Sequence, residues 1–189
     1  MRLKRIPIAI LFLVSCAVSQ VKQGQAAGQE IFLLKDDQHH QWCGYNSKSE
    51  SKSEADRLNA RIIVGVQYSN NRISAVHVTE GDESGDWNVD DQYSLDKDEK
   101  LQTLSRVIDN FSIGITQEEL FQIQNGKAIK QSSTSRSRRT GQPTKELSGD
   151  YLPEVPIITS TTAFPFWSFV QDKRSEILSK GKACVPDKR

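Results

Sequence analysis

The chain has 189 residues, of which 36% are hydrophobic and 26% charged, and its formal net charge is +1. That length suits one domain, and the apolar share is too high for a chain that stays unfolded. A charge so close to zero excludes a global positive field for nucleic acid, so no nucleic-acid partner is expected.

The first signal in chain order is Arg2, Lys4 and Arg5 followed by an apolar run over residues 6–14 and then Leu13-Val14-Ser15-Cys16. Basic, apolar, then small is the order of a secretion signal, and the run is shorter than the ~20 residues a membrane-spanning helix needs. Two readings compete for Cys16. In one, the tetrapeptide resembles the bacterial lipobox, which implies that the Cys16 thiol is acylated and becomes the first residue of the mature chain. In the other, Cys16 is discarded with an ordinary signal peptide cut after Ala17 or Ser19. Residues 18–30 are rich in Gln, Gly, Ala and Ser without apolar periodicity, which is the composition of a flexible tether. The expected layout is therefore a signal over 1–16, a tether over 17–30 and one globular domain over 31–189. The expected location is the periplasmic side of a cell envelope, with membrane contact through the lipid alone; without lipid, the chain is secreted.

Two thiols then remain, Cys43 and Cys184, one near each end of the domain. In an oxidising compartment they are expected to form a disulfide. The alternative, a metal site with His39 and His40, has no ligand spacing to support it, because neighbouring residues of an extended segment point opposite ways. No metal and no cofactor are expected.

Residues 30–34 read as a first strand, and Trp42 beside Cys43 as core packing. Residues 46–54 alternate Ser, Lys and Glu and read as an exposed low-complexity loop. Residues 61–79 carry the clearest pattern: two runs rich in β-branched residues joined by Asn70-Asn71 read as a hairpin, since Asn tolerates positive φ. The acidic residues 80–86 lack the spacing of a calcium loop and read as a solvated turn. Residues 87–95 alternate as a strand, 96–99 as a turn, and 101–111 fit either a strand or a helical stripe, with strand favoured by the flanking hairpins. Thr116-x-x-Glu119 resembles a capping box and predicts a short helix. Asn125-Gly126 between alternating residues is a strong hairpin signal.

Residues 131–149 are Ser, Thr, Arg and Gly with almost nothing apolar and read as a long mobile loop. Its Arg136, Arg138 and Arg139 are the candidate partner-binding cluster, fit for an anionic protein partner; no aromatic interleaves them to stack on bases. Residues 151–166 carry Pro153, Pro156 and Pro165 and read as extended, with Val155, Ile157 and Ile158 as an edge strand. Phe166, Phe169, Val170, Ile177 and Leu178 mark one face of a C-terminal helix that Gly181 stops.

The predicted fold class is α+β: a mainly antiparallel sheet of six to eight strands, as a curled sheet, open barrel or sandwich, with the C-terminal helix packed on it. No catalytic motif stands in the chain: no nucleophile elbow, no His-Glu-x-x-His, no phosphate loop and no Cys-x-x-Cys. The expected function is an exported binding or interaction protein of the cell envelope, an inhibitor or immunity-type protein being one form. The alternative is a small secreted hydrolase whose residues are dispersed around His77 or His39.

Overall fold

The structure is a computed structural model and describes residues 29–187. The proposed signal, Cys16 and nearly all of the proposed tether lie outside the described residues.

Nine strands form one antiparallel sheet: β1 (Glu30–Asp36), β2 (Gln41–Tyr45), β3 (Ile62–Ser69), β4 (Arg72–Gly81), β5 (Trp87–Leu95), β6 (Leu101–Asn110), β7 (Ile115–Gln124), β8 (Lys127–Ser137) and β9 (Lys182–Pro186). Their spatial order is β8-β7-β6-β5-β4-β3-β1-β2-β9. The fold class is as expected from the sequence, one strand beyond the upper count, and the sheet stays open, with β8 and β9 as its edges. The hairpin turns follow from local chemistry. Asn70 and Asn71 have φ of 52° and 64°, and Asn125 and Gly126 of 51° and 71°. Both pairs are the left-handed two-residue turns whose twist matches antiparallel strands. The ambiguous 101–111 segment is strand β6, paired on both sides.

One sheet face carries the main core. Ile31, Leu33, Val64, Val66, Val76, Tyr93 and Leu104 alternate inward along their strands and meet Phe166, Phe169, Val170 and Ile177. The last three belong to α2 (Trp167–Lys180), which ends at Gly181 with φ 86°, as its apolar stripe predicts. Gly44 on β2 lies against α2: a Cβ there would clash with Ile177 Cδ1 and stand 3.1 Å from Leu33 Cδ2. Gly44→Ala is expected to cost about 1–3 kcal/mol through overpacking. Ile177→Val removes the clashing methyl, so the double variant should be more stable than Gly44→Ala alone when urea midpoints are compared; additive losses would place the strain elsewhere.

Four expectations are corrected. Residues 46–54 are not a loop: α1 (Lys48–Leu58) begins there, capped by Ser47, whose Oγ accepts from the Glu50 N–H, and ended by Asn59 at φ 49°. Its small Ser51 and Ala55 turn inward, and Ala55 packs against Leu34, Cys43 and Tyr45 on the sheet's other face. Thr116 and Glu119 start no helix; they belong to β7, paired with β6 and β8. Residues 131–137 are not loop but the second half of β8, laddered to β7. A sheet edge needs backbone pairing on one side only, so Ser and Thr suffice without a buried face. Finally, Val155, Ile157 and Ile158 belong to no strand. Residues 143–166, with two single-turn 3-10 helices at Gly149–Tyr151 and Thr161–Ala163, form a strap that runs across the sheet from β8 to α2. Pro153, Pro156 and Pro165 have no N–H to give a ladder.

Cys43 and Cys184 lie directly opposite each other on β2 and β9 and are joined as a disulfide, with Cα atoms 4.1 Å apart. No helix among the described residues is long and apolar enough to cross a membrane.

Candidate functional site

A segment without a strand partner must satisfy its buried backbone groups in some other way, and here the sheet's side chains do it. Arg106 Nη1 donates to the Val155 carbonyl at 3.0 Å, Asn110 Nδ2 to the Tyr151 carbonyl at 3.1 Å, and the Ile158 N–H donates to Tyr93 Oη at 3.1 Å. The Leu147 N–H donates to Gln117 Oε1 at 2.6 Å, an oxygen that also accepts from Ser135 Oγ. These are inward positions where strand alternation alone would place apolar residues. Asp91, Arg106 and Glu119 stand side by side on β5, β6 and β7, all buried. Arg106 meets Asp91 with both ends of its fork, Nε to Oδ1 at 2.7 Å and Nη2 to Oδ2 at 2.6 Å. Glu119 accepts from Gln117 Nε2 at 3.0 Å and pairs with Lys130 Nζ at 2.5 Å. Within this charged row, Arg106 is the member that reaches the strap.

Between strap and sheet lies a cavity of about 140 Å³, comparable to the roughly 150 Å³ that holds one aromatic ring in a well-studied engineered cavity. Its wall comprises Trp42 from β2, Ile62 from β3, Val78 and Glu80 from β4, Asp91 and Tyr93 from β5, and Val155, Pro156, Ile158, Phe164, Pro165 and Phe166 from the strap. The rings brace one another: Trp42 on Phe166 edge-on at 5.4 Å, Tyr93 on Phe164 edge-on at 5.1 Å, and Phe164 stacked on Phe166 at 5.1 Å. Two polar groups of the wall stand out. The buried Trp42 Nε1 has no hydrogen-bond partner. Burial, then the neighbouring Asp91, pushes the Glu80 carboxyl above its usual range.

A raised carboxyl value means that ionisation opposes folding. Stability from this group is present below the unfolded-chain value and declines as pH rises through and above it. Glu80→Gln is therefore expected to raise the melting temperature modestly at neutral pH and to change it little at acid pH, where the carboxyl is protonated in both states. A lower melting temperature at neutral pH would show that Glu80 is satisfied by a contact the variant breaks.

The histidines do not build a catalytic set. His77 Nε2 lies 3.0 Å from Asp90 Oδ1, and Thr79 Oγ1 donates to that same oxygen at 2.6 Å. The hydroxyl is bound to the carboxylate rather than to the imidazole, so the three groups do not line up as a hydroxyl–imidazole–carboxylate relay; the group lies on the outward face of β4 and β5, away from the cavity. His39 Nδ1 is 2.8 Å from Asp36 Oδ2, whose partner oxygen accepts from the Gln38 and His39 N–H groups. That arrangement caps the β1–β2 turn. Among the described residues no group of three or more His, Cys, Asp or Glu is placed to hold a metal ion.

The basic cluster is largely engaged at home. Arg136 pairs with Glu118 at 2.5 Å, and Arg138 with Asp109 at 3.4 Å while lying 4.2 Å over the Phe111 ring. Arg139 is exposed beyond the end of β8. The cavity was missed at the level of sequence because its wall comes from four strands and the strap. The usable signal was Glu80, Asp91 and Arg106 at inward positions of alternating strands.

The chain matches no family model, no curated protein and no solved structure.

Proposed function

We propose that this protein is an extracytoplasmic binding protein that holds a small molecule in the cavity beneath the strap. The observation that carries this reading is the cavity itself. It is mostly apolar, ringed by aromatics and furnished with a few polar groups, among them the unpartnered Trp42 N–H and the Glu80 carboxyl, which is the make-up of a small-molecule site. A strap tied to the sheet by buried Arg106, by Asn110 and by Tyr93 keeps that site preformed. The cross-strand disulfide suits an oxidising compartment, and the lipobox-like Leu13-Val14-Ser15-Cys16 supports anchoring to a membrane of the cell envelope through acylated Cys16. On this reading the protein binds and does not turn over its ligand.

Native mass spectrometry of the full chain, purified gently from its own cells, is the test. A non-covalent small-molecule adduct, lost on denaturation and unchanged on incubation, is the expected result. A chain that never carries one overturns the binding reading. Conversion of the adduct to a product replaces it with the hydrolase reading. Anchoring has a separate readout: the wild type should fractionate with membranes and Cys16→Ser should be released from them or left unprocessed, whereas a wild type found in the soluble fraction rules the lipid out.

A further inference from the structure

The cavity's wall combines two features that a plain apolar pocket does not need. The first is four aromatic residues, Trp42, Tyr93, Phe164 and Phe166, around one small volume. Aromatic rings attract organic cations through their negative faces, most strongly where water is excluded. The second is Glu80, whose carboxylate has no hydrogen-bond or ion-pair partner among the described residues. The cations that act on it from farther away are each engaged elsewhere. Lys35 pairs with Asp37 at 3.3 Å, Arg61 with Glu83 at 3.0 Å and Asp37 at 3.6 Å, and Arg106 with Asp91 at 2.6 Å. Asp91 is thus neutralised within the wall, and Glu80 is left as a half-buried carboxylate without a counter-ion. An unpaired carboxylate in an apolar wall opposes folding; a cationic ligand beside it would remove that cost.

We propose that the strap cavity binds a small organic ammonium ion, with its alkyl groups against Trp42, Tyr93, Phe164 and Phe166 and its charge beside Glu80. This rests on the binding reading above and names its ligand class. The volume admits one methylated ammonium group with a short tail. A hydroxyl or carbonyl oxygen on that tail would give the unsatisfied Trp42 N–H an acceptor. The ammonium group can come from a free solute or from a lipid headgroup.

The test titrates the purified full chain with choline and, separately, with its uncharged isostere 3,3-dimethyl-1-butanol, by isothermal calorimetry. Choline is expected to bind saturably and at least tenfold more tightly than the isostere. Glu80→Gln, shown to be folded by circular dichroism, should weaken choline at least tenfold and leave the isostere unchanged. Equal binding of the two compounds, or choline binding indifferent to Glu80→Gln, overturns the cation proposal while the binding reading stands. Binding of neither probe also overturns it, and the native adduct then decides the binding reading on its own. Given choline binding, the source is separated with full-length Cys16→Ser chain. Co-sedimentation with phosphatidylcholine vesicles but not phosphatidylglycerol vesicles, competed by free choline, assigns a headgroup; its absence assigns a free solute.

Discussion

Arg106→Ala should destabilise the protein by about 3–5 kcal/mol, the usual cost of removing one partner of a buried ion pair. The substitution leaves the buried Asp91 carboxylate without its bidentate partner and takes the donors from the Val155 and Pro156 carbonyls of the strap. Lys at this position keeps the charge but cannot reproduce the fork, so Arg106→Lys should recover only part of the loss. Removing both charges together, as in Asp91→Leu with Arg106→Met, should cost less than Arg106→Ala alone, because no unpaired charge remains inside. Urea denaturation gives the ranking. Hydrogen exchange gives the location: the Ile158 amide, bonded to Tyr93 Oη, should lose protection in Arg106→Ala before the β3–β4 ladder does. A variant as stable as wild type would show that the strap is held by its apolar contacts alone.

Loss of the disulfide is the second large effect. Cys43 and Cys184 are 141 residues apart in sequence, and closing so long a loop stabilises by about 5 kcal/mol in the chain-entropy model, with removal in practice costing roughly 2–5 kcal/mol. The bond also joins β2 to β9, an edge strand of only five residues that follows α2 directly. Cys184→Ser should therefore lower the urea midpoint strongly and free β9 and the C-terminal end of α2 first. Cys43→Ser with Cys184→Ser should be no worse than either single change, since one bond is lost in each case. Wild type treated with reductant should fall to the same midpoint. Insensitivity of the wild type to reductant, with single variants still destabilised, would attribute the loss to packing of the thiols rather than to the cross-link.

What could be read without the fold was whatever depends on neighbouring residues. Asn70-Asn71 and Asn125-Gly126 announce their hairpins because positive φ is a property of those residue types. The spacing of Phe169, Val170 and Ile177 announces α2 because the helical period is local. The disulfide followed from counting the thiols left once Cys16 is assigned to the expected signal. Local polarity misled in three places. α1 looks like loop because its buried face is only Ser51 and Ala55, and its stability comes from the Ser47 and Asn59 caps and from packing on β1 and β2. The second half of β8 looks like loop because an edge strand is held by its ladder rather than by burial. Thr116 and Glu119 have the spacing of a capping box, yet two neighbouring strands offer that segment a full set of backbone partners, which a single helical turn cannot match.

The sequence by itself determined the antiparallel sheet, its hairpins, the closing helix and the pairing of Cys43 with Cys184, since each is written in residue types or periods that act over a few positions or in a count. Only the tertiary structure decided the strap and the cavity under it. Arg106 and Val155 are 49 residues apart, and Tyr93 and Ile158 are 65 apart. Trp42, Glu80 and Phe166 come to one wall only because the sheet carries β2 and β4, with β3 and β1 between them, under a returning segment. Side-chain contacts across such separations follow from how strands are ordered and which face is covered, and no local pattern encodes either.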